Sequence, residues 1–342
     1  MASKTRKVAF DILKYSITLG IAAFLLWFVY KDFSFAILKE QVSNINYYWI
    51  ILSIILALLS HYLRAYRWNI LLEPLGYHLK TSRTFIAVMV GYFANNLVPR
   101  LGEVTRCGIL KKNDKVSMTS AFGSVVAERA LDLLILIILG SFTFLIEFDK
   151  LNSFIIENFQ EKIPETKSIY GLVFTGLGIG LVLLLIAFFL FKIFRDQLHR
   201  NPLYLKIRQF VKELLDGFLS IRKIKNQFGF WISTFGIWLL YFLMLIVVFY
   251  AFTPTSNLSL IAGLTLLIMS GLGMSAPVQG GIGVFHILVS SVLVLYGISA
   301  NDGKVFALIA HTTQFLTVML FGGISFVISV FMKPRDSNVN SK

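Results

Sequence analysis

Apolar runs of membrane-crossing length recur along this chain, and no other feature constrains its fold so much. The stretch FGFWISTFGIWLLYFLMLIVVFYAF, residues 228 to 252, carries no Asp, Glu, Lys or Arg. A helix needs roughly 20 such residues to span a hydrocarbon core, where every backbone polar group must be satisfied within the segment. Comparable runs fall near 13 to 30, 47 to 63, 117 to 146, 168 to 192 and 303 to 332. With 56% hydrophobic and 15% charged residues, the chain reads as an all-α polytopic membrane protein. The first run follows Lys4, Arg6 and Lys7 but offers no small-residue cleavage site, so it is expected to be a retained helix.

The surplus of 32 Lys and Arg over 18 Asp and Glu points to loops facing anionic lipid rather than to nucleic acid. A single cysteine, Cys107, excludes an intramolecular disulfide framework and a clustered cysteine metal site, and is expected to serve packing.

Two further apolar zones, 84 to 98 and 258 to 297, are broken by Pro and Gly. If the first crossed fully, Arg64, Arg67, Lys80 and Arg83 would face the side opposite Lys111, Lys112 and Lys115, against the positive-inside bias. A re-entrant hairpin returning by about 111 keeps both basic flanks cytoplasmic, with Pro99 and Gly102 in non-helical backbone buried at membrane depth. The second zone breaks at APVQGGIG, Ala276 to Gly283, and its nearly uncharged flanks suit an outside loop.

The expected architecture is six full spans and two re-entrant helical hairpins, or eight transmembrane helices if each pair of hairpin limbs is counted as a span. Residues 13 to 146 run span, amphipathic connector, span, hairpin, span, and residues 168 to 332 repeat that order. Three full spans per half invert the second half, so the hairpins enter from opposite faces. PRLGEVTRCGIL, Pro99 to Leu110, aligns on PVQGGIGVFHIL, Pro277 to Leu288, with Pro, Gly and the final Ile-Leu shared. Residues 1 to 342 read as one membrane domain, with a basic cytoplasmic connector over 193 to 227, both termini inside and a disordered tail over 333 to 342.

Ionisable residues inside a bilayer are costly and therefore functional candidates. HYLRAYRW places Arg64 and Arg67 on one helical face, as interfacial anchors or as ligands of a lipid phosphate. Arg100, Glu103 and Arg106 belong to the first hairpin's turn and returning limb, beside Asn95 and Asn96. AERALD places Glu128, Arg129 and Asp132 on roughly one face of the next span. These charges form either a structural ion network or an anion site, because five arginines exceed three acids and guanidinium forks suit phosphate oxygens. Half-helix N-termini after the breaks at Gly102 and at Gly280, Gly281 and Gly283 add free N–H groups. The second half contributes Gln279, His286, His311 and Gln314, none of them charged carboxylates or arginines. Neither a nucleophile motif, a Walker A loop nor a metal-binding pattern is present, so no catalytic residue, metal or cofactor is expected.

Taken together, RAYRW, GYFANNLVPRLGEVTR, VVAERALDLL and APVQGGIGVFH resemble the lysylphosphatidylglycerol synthase transmembrane region family, the flippase-like or UPF0104 membrane proteins, over essentially the whole chain. The resemblance implies translocation of a phospholipid or lipid-linked anionic substrate across a bacterial inner membrane. It carries over to Asn95, Pro99, Arg100, Gly102, Glu103, Arg106, Glu128, Arg129, Asp132, Pro277, Gly280, Gly281 and Gly283. Two departures are visible. The chain ends at Lys342 without a soluble aminoacyl-transferase domain, so synthase activity is not implied, and His286 stands where many relatives carry an acid. A membrane-embedded lipid-phosphate transferase or hydrolase, and an accessory protein of envelope assembly, are the alternative functions.

Overall fold

The computed structural model of the protein describes residues 19–31, 33, 35–148, 150, 205 and 224–334. All regular structure among them is helical: α1 (Leu19–Tyr30), α2 (Phe35–Ser43), α3 (Tyr47–Leu72), α4 (Thr81–Leu97), α5 (Leu101–Asp114), α6 (Met118–Ile146), α7 (Gln227–Ala251), α8 (Leu260–Ser275), α9 (Val284–Leu295) and α10 (Ala300–Phe331). Short 3-10 turns at Glu73–Leu75, Thr253–Thr255 and Gln279–Gly281 join them. Four helices, α3, α6, α7 and α10, are long and apolar enough to cross a membrane. They match four of the expected spans. The expected span at 168 to 192, most of the connector at 193 to 227 and the tail beyond 334 lie outside the described residues, as does the start of the span at 13 to 30.

The chain divides into two units, Met1–Gly140 with Ser220–Lys342, and Ser141–Leu219. In the second, the described residues are the end of α6 and a few beyond it, with Lys150 Nζ 3.4 Å from Glu147 Oε2. The other elements and the cavity described below belong to the first.

Polar side chains start these helices where the sequence offers them. Asn46, Asn226, Ser259 and Ser299 accept the backbone N–H of Tyr48, Gly229, Ala262 and Asp302 at 3.1, 2.8, 3.1 and 3.1 Å. Each satisfies an amide that the first helical turn leaves without a partner. α3 runs to Leu72, nine residues past the span expected from hydropathy at 47 to 63. The extension holds Arg64 and Arg67, and the helix continues through them because acids on α6 neutralise both.

α3 and α7 pack antiparallel, with Asn46 N–H donating to Ala251 O at 2.9 Å at one end and Asn226 Nδ2 to Tyr66 Oη at 3.2 Å at the other. α10, 32 residues and so about 48 Å long, measures the rest. Near its start Gly303 lies against Ser290 and Leu293 of α9, and near its end Asn113 Nδ2 donates to Ser329 O at 3.2 Å and Arg83 Nη2 to Lys333 O at 3.1 Å. The α4–α5 and α8–α9 helix pairs therefore have their bases at opposite ends of α10. Their turns meet part-way along it, where Gln279 Nε2 donates to Leu97 O at 3.0 Å and His311 Nε2 lies 2.8 Å from Gly280 O.

Close helix approach within each pair is made by glycine. A Cβ on Gly102 would lie 2.2 Å from Gly91 O, and one on Gly273 2.7 Å from Phe285 Cα. The two pairs carry separate apolar cores. One gathers Trp68, Leu72, Cys107, Leu110, Val125 and Phe230, the other Phe249, Leu266, Phe285, Leu293 and Phe306. Cys107 is fully buried there, a packing residue as its solitude in the sequence suggested. Between the cores lies a polar layer.

Candidate functional site

Four side chains on two helices form the densest part of that layer. Arg64 Nη1 of α3 donates to Glu128 Oε1 and, at 2.8 Å, to Asp132 Oδ2. Arg67 Nη2 donates to Asp132 Oδ1 at 2.7 Å and lies 3.6 Å from Glu128 Oε1. Spacing accounts for this, since residues three or four apart share a helical face and the Arg64/Arg67 pair meets the Glu128/Asp132 pair face to face. From α5, Arg106 Nη1 donates to Glu128 Oε2 at 3.2 Å, and its guanidinium lies 4.6 Å from the centre of the Trp68 ring. Trp68 is itself fixed by Nε1 donating to Ser124 Oγ at 2.8 Å.

Arg67 and Glu128 are both 0% exposed. The interfacial-anchor alternative for Arg64 and Arg67 is thus not realised, because neither guanidinium snorkels toward solvent and Trp68 is a core residue. Buried charges of this kind are tolerated because every carboxylate oxygen of Glu128 and Asp132 meets an arginine.

Next to this network opens a cavity of about 560 Å³, between the two turns and walled by α3, α6, α7, α8 and α10. Arg64, Arg100, Arg129, Glu103 and Asp132 line it, together with Asn95, Asn96 and Pro99 from the first turn. Gly280, His311 and Gln314 line it from the second half. Arg67 and Arg106 hold Glu128 and Asp132 from behind and are not among its lining residues. Gln279 and His286 are not lining residues either, and each supports the second turn instead. His286 Nδ1 accepts the Gly283 N–H at 3.3 Å from the third position of α9, the place a glutamate occupies in a capping box. That role explains how an imidazole can stand at a position where an acid would also serve.

Arg100 lines the cavity from the first turn and is exposed. Its φ of 63° puts it in the left-handed region that favours glycine, and it takes no ion pair among the described residues. Asn95 Oδ1 accepts the Gly102 N–H at 2.7 Å and so closes the turn around it. Arg129 Nη2, partly exposed, lies 3.6 Å from Glu103 Oε1.

Sequence reasoning had no claim on Tyr92, Trp238, Tyr241 or Ser270, which also line the cavity. Arg64 Nη2 donates to Tyr241 Oη at 3.1 Å. Trp238 and Tyr241 stand three apart on one face of α7, but that helix is aromatic throughout and nothing in its pattern sets the two apart. Several lining nitrogens find no partner among the described residues: the donors Arg64 Nε, Asn96 Nδ2, Arg129 Nε and Trp238 Nε1, and both ring nitrogens of His61, one a donor and one an acceptor in the neutral ring. No cluster of three metal-ligating side chains occurs among the described residues.

Comparison with known proteins agrees with the resemblance read from the motifs. The family model described as lysylphosphatidylglycerol synthase TM region matches residues 15–322. A UPF0104 membrane protein of Methanocaldococcus jannaschii is 33% identical over 96 residues, 27% of this chain and 29% of that protein. A second, from Methanothermobacter thermautotrophicus, is 28% identical over 98 residues, 28% of this chain and 29% of its own. The chain thus matches less than a third of the length of these curated relatives. No solved structure matches it.

Proposed function

Because the chain belongs to the lysylphosphatidylglycerol synthase TM region family and is a multi-pass membrane protein, we propose that it translocates a phospholipid or lipid-linked anionic substrate across the bilayer. The cavity between the two turns carries this reading. It combines guanidiniums and N–H donors without acceptors, which suit phosphate oxygens, with a wall formed by Leu133 and Leu136 of α6. An amphipathic substrate needs both surfaces. Leu133 lines the cavity and is 58% exposed, so acyl chains would lie against α6 while the headgroup occupies the cavity.

In this proposal α4–α5 is a re-entrant hairpin from the cytoplasmic side and α8–α9 its inverted counterpart from the other side. Lys80, Arg83, Lys111, Lys112, Lys115 and Lys333 gather at the base of the first, as the positive-inside bias requires. Rocking of one half against the other would expose the cavity alternately. Both curated relatives are archaeal, so the bacterial inner membrane of the sequence reading is widened here to a cell membrane. Topology has a direct test in a Cys107→Ala background. A membrane-impermeant maleimide should label Ala300→Cys in intact cells and Lys112→Cys only after permeabilisation, both positions being exposed. The reverse pattern rules the proposed orientation out.

Arg100 supplies the functional test. A non-glycine residue at φ 63° costs about 1–2 kcal/mol, so its retention there is reason to look for a use of the side chain. Arg100→Gly relieves that strain and removes the guanidinium. Its thermal midpoint in detergent should equal or exceed that of the unaltered protein. Transfer of headgroup-labelled phosphatidylglycerol in proteoliposomes should fall about tenfold, as loss of one charge-assisted hydrogen bond predicts. Equal transfer rates would take Arg100 out of the site. Mass spectrometry of the vesicle lipid separates translocation, which leaves the species unchanged, from a transferase or hydrolase.

A further inference from the structure

We infer that the cavity selects lipid headgroups that are anionic and carry no cationic group, and that it discriminates against aminoacylated or amine-bearing headgroups. The inference rests on the translocation reading and narrows its substrate class. An ammonium is best held by a carboxylate, and the two acids that line the cavity, Asp132 and Glu103, already face arginines. Asp132 has one oxygen on Arg67 at 2.7 Å and the other on Arg64 at 2.8 Å. Glu128 is fully buried, does not line the cavity, and is shared by Arg64, Arg67 and Arg106. Of these acids, Glu103 alone keeps an oxygen without an ion-pair partner among the described residues, and its other oxygen faces Arg129 at 3.6 Å.

The wall from the second half adds Ser270, Gly280, His311 and Gln314 but no carboxylate. His286, at the third position of α9, is 2% exposed, does not line the cavity, and accepts the Gly283 N–H at Nδ1. The unmet needs run the other way. Arg64 Nε, Arg129 Nε, Asn96 Nδ2 and Trp238 Nε1 are donors on lining residues, buried and without acceptors among the described residues. Arg100 adds a guanidinium without an ion pair among the described residues. Five arginines (64, 67, 100, 106, 129) against three acids (103, 128, 132) leave an excess of two positive charges in the cluster. A phosphodiester or phosphomonoester brings the oxygens and the charge that this set lacks, whereas an ammonium would meet guanidiniums at close range. Leu133 and Leu136 in the same wall make a lipid rather than a free anion the bearer of that phosphate.

The test uses the full chain in proteoliposomes, with fluorescent phosphatidylglycerol, phosphatidic acid, phosphatidylethanolamine and lysylphosphatidylglycerol measured separately. Phosphatidylglycerol and phosphatidic acid should move at least tenfold faster than the two amine-bearing lipids, and lysylphosphatidylglycerol should not compete with them. Equal rates for lysylphosphatidylglycerol and phosphatidylglycerol would overturn the selectivity and leave translocation standing. Failure of every lipid to move would overturn the translocation reading and this inference with it, as would uptake of radiolabelled inorganic phosphate in place of lipid. Arg129→Gln frees Glu103 and removes one lining cation. It should narrow the preference for phosphatidylglycerol over lysylphosphatidylglycerol by roughly threefold, the size of one partly exposed ion pair, and an unchanged ratio would count against the proposed charge balance.

Discussion

Replacing Glu128 by glutamine will destabilise the protein by about 3–5 kcal/mol, the range seen when one partner of a buried ion pair is removed. Arg64, Arg67 and Arg106 converge on this carboxylate, and all three are nearly or fully buried. Asp132 can still serve Arg64 and Arg67 after the change. Arg106 loses its acid and keeps only the Trp68 ring. The loss should therefore be partly reversed by a second substitution, Arg106→Met, which removes the stranded cation and keeps an apolar chain against Trp68. Asp132→Asn should cost less, because the side chain is 13% exposed and borders the cavity, where water can solvate the two guanidiniums. The measurement is the fraction of protein that stays monodisperse in detergent as temperature rises, for the two single variants and the double. If Glu128→Gln is no less stable than Asp132→Asn, the network is not organised around Glu128.

That network shows how far the sequence could be read. Each of its members was identifiable as an ionisable residue in an apolar setting, and the helical spacing of Arg64 with Arg67 and of Glu128 with Asp132 put each pair on one face. Pairing across helices is a tertiary fact, and spacing within a helix carries no trace of it. So the sequence left open whether the arginines served a phosphate or the acids. In the structure Arg67 and Arg106 serve the acids, while Arg64 faces both its acids and the cavity. The helix-turn-helix pairs were legible for a simpler reason. Pro99 with Gly102, and Pro277 with the glycines after it, interrupt apolar runs too short for two spans, and charge on the flanks limits where the ends can lie. The cavity's aromatic wall was not legible. Trp238 and Tyr241 matter through a nitrogen and a hydroxyl on a helix rich in aromatic residues, and composition does not distinguish a ring that faces lipid from one that faces a cavity.

The second large effect concerns backbone packing. Gly102→Ala in α5 should disrupt the first turn, although alanine favours helices by up to about 1 kcal/mol over glycine. The added Cβ would sit 2.2 Å from Gly91 O, 2.6 Å from Asn95 Cγ and 2.7 Å from Asn95 Nδ2, whereas ordinary contact begins near 3.4 Å. The first obstacle is backbone, which cannot rotate aside, so α4 and α5 must part. Parting them stretches the Asn95 Oδ1 contact to the Gly102 N–H, now 2.7 Å, and shifts Arg100 and Glu103 in the cavity wall. Forced overpacking costs about 1–3 kcal/mol where side chains can adjust, and the backbone contact here places the change at the upper end of that range. Gly108→Ala is the matched control, since it lies on the same helix with nothing within 4 Å of its Cβ and should be neutral or slightly stabilising. In proteoliposomes the folded fraction of Gly102→Ala should also transfer phosphatidylglycerol more slowly than Gly108→Ala, because its turn no longer holds Arg100 in place. Matching rates and matching thermal midpoints for the two variants would mean that the close approach of Gly91 and Gly102 does not govern the turn.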